Sequence, residues 1–196
     1  TLFAILIFTT SSFYNNFILG EGVYIKDILP LVFTKIAGIS LSVLLILHEF
    51  EVHLSVTDKL CHLSKATNCN TVLNDKASKV FGWFGWADVG FVYFIGSFLF
   101  LLQSPSGEGL SLMAILAALS VPYPIFSIYY QGFVLKKWCP MCIGIQLILI
   151  LEFFLLLPQF SKLRFSLISF TTLALSFLLV TVIYTLYILF RREKIS

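Results

Sequence analysis

The stretch Trp138-Cys139-Pro140-Met141-Cys142 holds the side chains best able to do chemistry. Two thiols at C-x-x-C spacing can close a disulfide across one helical turn. A helix N-terminus stabilises a thiolate through its unpaired amides and its dipole. Lys136 and Lys137 add positive charge, and the apolar run Ile143 to Leu157 follows at once. A C-x-x-C at the mouth of a membrane helix reads as redox-active; zinc ligation and inert thiols are the alternatives. Cys61 and Cys69 form a second close pair, with a C-x7-C spacing open enough for a disulfide across a small loop. All four cysteines lie in or beside loops, and an oxidising compartment suits such pairs.

The elements that must position these thiols are membrane helices. Hydrophobic residues make up 59% of the chain and charged residues 12%, about half the usual soluble share. Mean hydropathy is +0.96. Lys plus Arg number 13 against 10 Asp plus Glu, with no basic stripe outside the loops, so nucleic acid is not a partner. Composition predicts an all-α polytopic protein in a lipid bilayer. The first stretch lacks a basic leader and a small-residue cleavage site, so it does not read as a signal peptide.

Six spans are expected in order: Leu2–Leu19, about Pro30–His48, Ala87–Leu102, Leu110–Val134, Ile143–Leu157 and Phe165–Phe190. Pro30 belongs near the start of its helix, where a missing N–H costs little. Lys35 lies near an end and can snorkel to the surface. Pro122 and Pro124 should bend their span, and Pro158 should end the one before it. Tyr129 and Tyr130 fit interface anchors. Glu152 should face the bundle. The extramembrane segment 49–80 holds Cys61 and Cys69, with room for a short helix within Thr71–Val80.

Counting crossings brings the two cysteine pairs to one side of the membrane. The Pro30–His48 span ends where the Cys61/Cys69 segment begins, one span leaves, and the next returns to deliver Cys139 and Cys142. Lys and Arg counting puts that side in the cytoplasm. The length of the loop weakens that count, and disulfide chemistry favours the outer face, which is adopted here.

Two pairs on one side make a relay. Thiolate attack moves an oxidising equivalent between them through a mixed disulfide. The pair nearer the lipid must then unload two electrons, and a lipid-soluble quinone is the natural acceptor. A flat ring needs aromatic and apolar walls with a few polar groups on its oxygens. Ser78, Phe81, Trp86, Asp88 and Gln146 lie within reach, Gln146 one turn beyond Cys142 on the same helix face. The plain readings are that Trp86 is an interface anchor, Asp88 faces water and Gln146 joins helices. No metal ligand set is read.

Taken together, Cys61, Cys69-Asn70-Thr71-Val72-Leu73, Phe81-Gly82 and Trp138-Cys139-Pro140-Met141-Cys142 resemble the vitamin K epoxide reductase family in its bacterial form. The resemblance covers about Leu31 to Pro158. It implies a four-helix quinone-binding bundle with additional flanking helices. The expected division is an extra N-terminal helix and turn (1–28), the catalytic bundle (29–158) and an additional C-terminal helix (159–196). It implies that Cys142 faces the quinone, that Cys139 exchanges with Cys69, and that Cys61 completes the pair oxidising a thioredoxin-like protein or fused domain. Ubiquinone or menaquinone would take the electrons, in a bacterial inner membrane with the cysteines on the periplasmic face. The animal enzymes have Tyr where this chain has Gln146 and Asn where it has Ser78. Ring preference and any epoxide activity therefore do not carry over. Two other classes are open: a structural membrane anchor stapled by disulfides, and a transmembrane thiol-relay transporter, which needs redox cysteines on both faces.

Overall fold

The computed structural model describes residues 25–50, 61, 67–80, 85–164 and 166–193. The expected span Leu2–Leu19 and Phe81 lie outside the described residues. Among the described residues there is no strand, only isolated bridges between Thr67 and Trp138 and between Lys79 and Gly85. Helix α1 is Ile25–Glu49, α2 is the short Cys69–Leu73, and α3 is Trp86–Gln103. Then come α4 (Gly107–Ser120), α5 (Pro122–Tyr129), a π-helical turn (Tyr130–Leu135), α6 (Pro140–Leu156) and α7 (Leu167–Glu193). Among the described residues, five stretches are long and apolar enough to cross a membrane: Ile28–Glu49, Trp86–Gln103, Gly107–Leu135, Pro140–Lys162 and Leu167–Phe190. The chain is an all-α, multi-pass membrane protein.

The prolines act largely as their chemistry dictates. Pro122 stands first in α5, just after the break at Val121, so the long span is interrupted where a missing amide and a ring clash would strain it. Pro158 falls in the 3-10 turn Leu157–Lys162 that closes the fourth of these spans. Pro30 differs from expectation. It lies inside α1, because the helix begins at Ile25, ahead of the apolar run.

The contacts group the chain into two compact units, each fed by segments of several helices. One takes the residues up to Lys35, Val92–Leu116, and the chain from Leu155 on. There Gly96 packs so closely on the Phe177 ring that a Cβ would lie 3.1 Å from it and require the ring to shift slightly. Serines of α7 tie it to earlier helices: Gln103 Nε2 donates to Ser176 Oγ at 3.2 Å and Ser169 Oγ to Glu108 Oε2 at 3.3 Å. Lys35 does not snorkel. It is fully buried, its Nζ 4.7 Å from the centroid of Tyr93 and 5.7 Å from that of Phe94, so ring faces replace the water its tail could have reached. Leu167, Ile168 and Phe190 are among the many exposed apolar side chains of α7, as a lipid-facing helix requires.

The other unit takes Ile36–Phe91 and Ala117–Phe154, and so contains all four cysteines. In it α1 and α6 approach closely: a Cβ on Gly144 would meet Leu41 Cδ1 at 2.9 Å. Glu152 is fully buried, as its place deep in a span demands.

Candidate functional site

The helix carrying the C-x-x-C is started by its own first cysteine. Cys139 precedes α6, and its Sγ accepts the Cys142 N–H at 3.3 Å, as an N-cap side chain does. Its carbonyl accepts the Ile143 N–H at 3.0 Å, the first helical bond. Pro140 opens the helix, at the one position where its lost donor would be unpaired anyway. Cys139 and Cys142 are free thiols, buried at 0% and 8% exposure.

What aims that cap comes from the preceding span. The π-helical turn Tyr130–Leu135 ends in Lys136, the one described non-glycine residue with positive φ (51°), which turns the chain back. The Trp138 indole then lies over Gly132, where a Cβ would stand 3.1 Å from the ring. The wound-out turn also swings Gln131 inward. It is 1% exposed, and its Oε1 accepts the Cys139 N–H at 2.9 Å. Gln131 Nε2 donates to Ser127 Oγ at 3.0 Å, and Gln146 Nε2 donates to the same oxygen at 2.6 Å. One polar chain thus ties the amide of Cys139 to the residue one turn beyond Cys142. Gln131→Leu would leave the buried Cys139 N–H without an acceptor, costing about 1–3 kcal/mol. A drop in the thermal midpoint of detergent-solubilised protein, with Gln131→Glu closer to wild type, is the expected result.

The second pair is closed as a Cys61–Cys69 disulfide, with the Cα atoms 5.2 Å apart. Both residues are buried, at 1% and 0% exposure. Asn68 caps α2, its Oδ1 accepting the Thr71 N–H at 3.1 Å. The Asn68 N–H donates to the Trp138 carbonyl at 3.0 Å, and Thr67 bridges Trp138 in parallel. The residues immediately before Cys69 and before Cys139 are therefore backbone-bonded to each other.

The remaining predicted residues form the shelf beside α2. Ser78 Oγ bonds to the carbonyls of Leu73 and of Asp75 (2.6 Å to the latter), so its single proton serves the loop backbone. Asp88 is buried, and its Oδ2 accepts the Gly85 N–H at 2.7 Å at the start of α3. Trp86 is more than an interface anchor. Its Nε1 donates to the Ala77 carbonyl at 3.1 Å, and its ring lies 5.0 Å from that of Tyr123 at 33°. Lys79 pairs with Glu49; burial pulls its ammonium below the ordinary lysine range, opposed by the charge of Asp88. Tyr130 also departs from expectation. Its hydroxyl donates to Asp75 Oδ1 at 2.9 Å and holds the loop, while Tyr129 is exposed and stacks on Phe133 as an anchor would.

Sequence reasoning gave no site role to Tyr123, Ser127, Gln131 or His48. Tyr123 lies one turn before Ser127 and within electrostatic reach of both C-x-x-C thiols. The spacing Tyr123, Ser127, Gln131 repeats every four residues, a stripe that could have been read as one polar helix face. His48 is buried at 5% exposure with neither ring nitrogen bonded. Gln146 is fully buried, and its Oε1 also has no partner. A buried orphan acceptor one turn beyond Cys142, with Trp86 and Tyr123 as flat walls in the same unit, suits the hydroxyl and ring of a quinol. Among the described residues no three His, Cys, Asp or Glu side chains come together to hold a metal.

The model of the vitamin K epoxide reductase family matches residues 29–157, more than half of the chain and all four cysteines. No curated protein matches.

Proposed function

Because this chain belongs to the vitamin K epoxide reductase family, we propose that it is a quinone-dependent thiol oxidase that makes disulfides. Electrons enter from a thioredoxin-like protein or fused domain at Cys61/Cys69, pass to Cys139/Cys142, and leave to ubiquinone or menaquinone. The observation that carries this reading is the backbone bond from Asn68 to Trp138, which holds the segments of Cys69 and Cys139 against each other.

The exchange follows from that contact. The Cys69 thiolate attacks Sγ of Cys139 in an oxidised Cys139–Cys142 pair. The S–S bond breaks, and Cys142 leaves as a thiolate. The Cys61 thiolate then attacks Sγ of Cys69 and releases Cys139. The loop pair ends oxidised and the C-x-x-C reduced, which is the distribution the structure holds. A quinone supplies the final acceptor, taking two electrons and two protons as it becomes quinol.

The chain's own groups prepare that step. The Gln131 side chain and the Cys139 cap fix the mouth of α6. Gln146 offers the ring a hydrogen-bonding amide, and Trp86 with Tyr123 offers flat walls. Ser78 and Asp88 brace the wall through backbone bonds. The protein is placed in a bacterial inner membrane with its cysteines on the periplasmic face, where substrates need disulfides.

Anaerobic addition of a short-tailed quinone to the dithiol protein in detergent tests this. The account expects quinone absorbance to bleach by one equivalent per thiol pair. Persistence of that absorbance, with binding demonstrated separately, would return the cysteines to a structural role.

A further inference from the structure

Gln131 can face Ser127 in only one way. Its Oε1 is held by the Cys139 N–H, so its Nε2 must donate to Ser127 Oγ. Gln146 carries no such lock. Its Nε2 donates to Ser127 and its Oε1 is left bare in the interior. The two ends of an amide have nearly the same shape. The Gln146–Ser127 separation of 2.6 Å is as short as an O–H···O bond, so the reversed amide, with Ser127 donating to Oε1, fits the same space.

A serine hydroxyl has one donor and two acceptor sites, and both arrangements fit them. In one, Ser127 accepts from both Gln131 and Gln146. In the other, it accepts from Gln131 and donates to Gln146. The first leaves the Gln146 oxygen facing outward, and the second leaves its NH2 facing outward.

We propose that Ser127 is a pivot that lets Gln146 bond the ring oxygen in both redox states: Oε1 accepts from a quinol hydroxyl, and Nε2 donates to a quinone carbonyl. This rests on the quinone reading and deepens it. A fixed donor would serve the quinone carbonyl and leave the proton of the quinol hydroxyl without an acceptor. The pivot lets one residue hold both.

Ring affinity, not turnover, is the test. Full-length Cys139→Ser/Cys142→Ser protein keeps an added ring in its redox state. Ubiquinone-1 and its quinol are titrated separately, following tryptophan fluorescence. In this parent both bind within about threefold of each other. Gln146→Leu weakens both by about tenfold. Ser127→Ala leaves the Gln131 N–H without an acceptor, so Gln146 turns its oxygen inward and its NH2 outward. Affinity for the quinol then falls about fivefold or more relative to the quinone. Ser127→Thr keeps the hydroxyl and keeps the parent ratio. Weakening of only one ring form by Gln146→Leu, or an unchanged ratio in Ser127→Ala, overturns the pivot while leaving the quinone reading intact. If Ser127→Ala does not fold, the Gln146→Leu and Ser127→Thr titrations decide by the same criteria. A parent that binds neither ring form overturns both.

Discussion

Cys142→Ser protein is expected to lose quinone reduction by about a thousandfold or more, because Cys139 is then left without the sulfur with which it closes a disulfide as two electrons leave. The fold should survive. Cys142 contributes its backbone N–H to the Cys139 cap, and serine keeps that donor. The side chain is buried, and serine is close to it in size. Quinone absorbance followed under anaerobic conditions, alongside a thermal midpoint near that of wild type, checks both halves. Full activity in the serine variant would contradict the assignment outright.

The second large effect is a trapped intermediate. In a Cys61→Ser/Cys142→Ser protein each remaining cysteine has lost its resolving partner. Once mild oxidation joins Cys69 to Cys139, nothing can release the bond. The Thr67–Trp138 bridge and the 3.0 Å Asn68–Trp138 bond already hold the two segments together, so the cross-link should form in the large majority of molecules. Non-reducing peptide mapping reads it directly. Removing the donor of the Asn68–Trp138 bond with Asn68→Pro should cut the yield severely. The companion protein, Cys69→Ser/Cys142→Ser, leaves Cys61 and Cys139 and should cross-link far less, since it is Cys69 whose segment is bonded to that of Cys139. Equal yields from the two proteins would leave the order of the relay without support.

Because the disulfide residues are buried, a partner protein cannot reach either sulfur on the surface as the chain stands. Exchange with a partner must displace what covers Cys61. The tie from Tyr130 to Asp75 is one of the bonds that steadies this region.

The cysteine pairs, the five later spans and the shared side of the pairs were legible because they depend on spacing, apolar run length and a count of crossings. Those are properties of the chain read in one dimension. The break before Pro122 and the burial of Glu152 follow local rules in the same way. What could not be read depends on neighbours distant in sequence. Lys35 was expected to reach water, but Tyr93 and Phe94 cover it, and nothing near Lys35 in sequence announces them. Gln131 sits eight residues before the amide it holds, across a turn whose π-helical winding decides where its side chain goes. Ser78 and Asp88 were read by residue type as polar groups for a ring. Each also braces backbone, Ser78 in the loop and Asp88 at the start of α3, a demand visible only once those turns exist. His48 gave no motif and stands out only through the absence of a partner for either nitrogen.

The order of disulfide closure tests the central claim most directly. The fully reduced protein is mixed anaerobically with a short-tailed quinone, quenched in acid at intervals, alkylated and mapped by mass spectrometry. The account predicts that Cys139–Cys142 closes first, in step with the loss of quinone absorbance, and that Cys61–Cys69 closes afterwards. Closure of Cys61–Cys69 first, or together with the bleaching and without a Cys139–Cys142 stage, would contradict it.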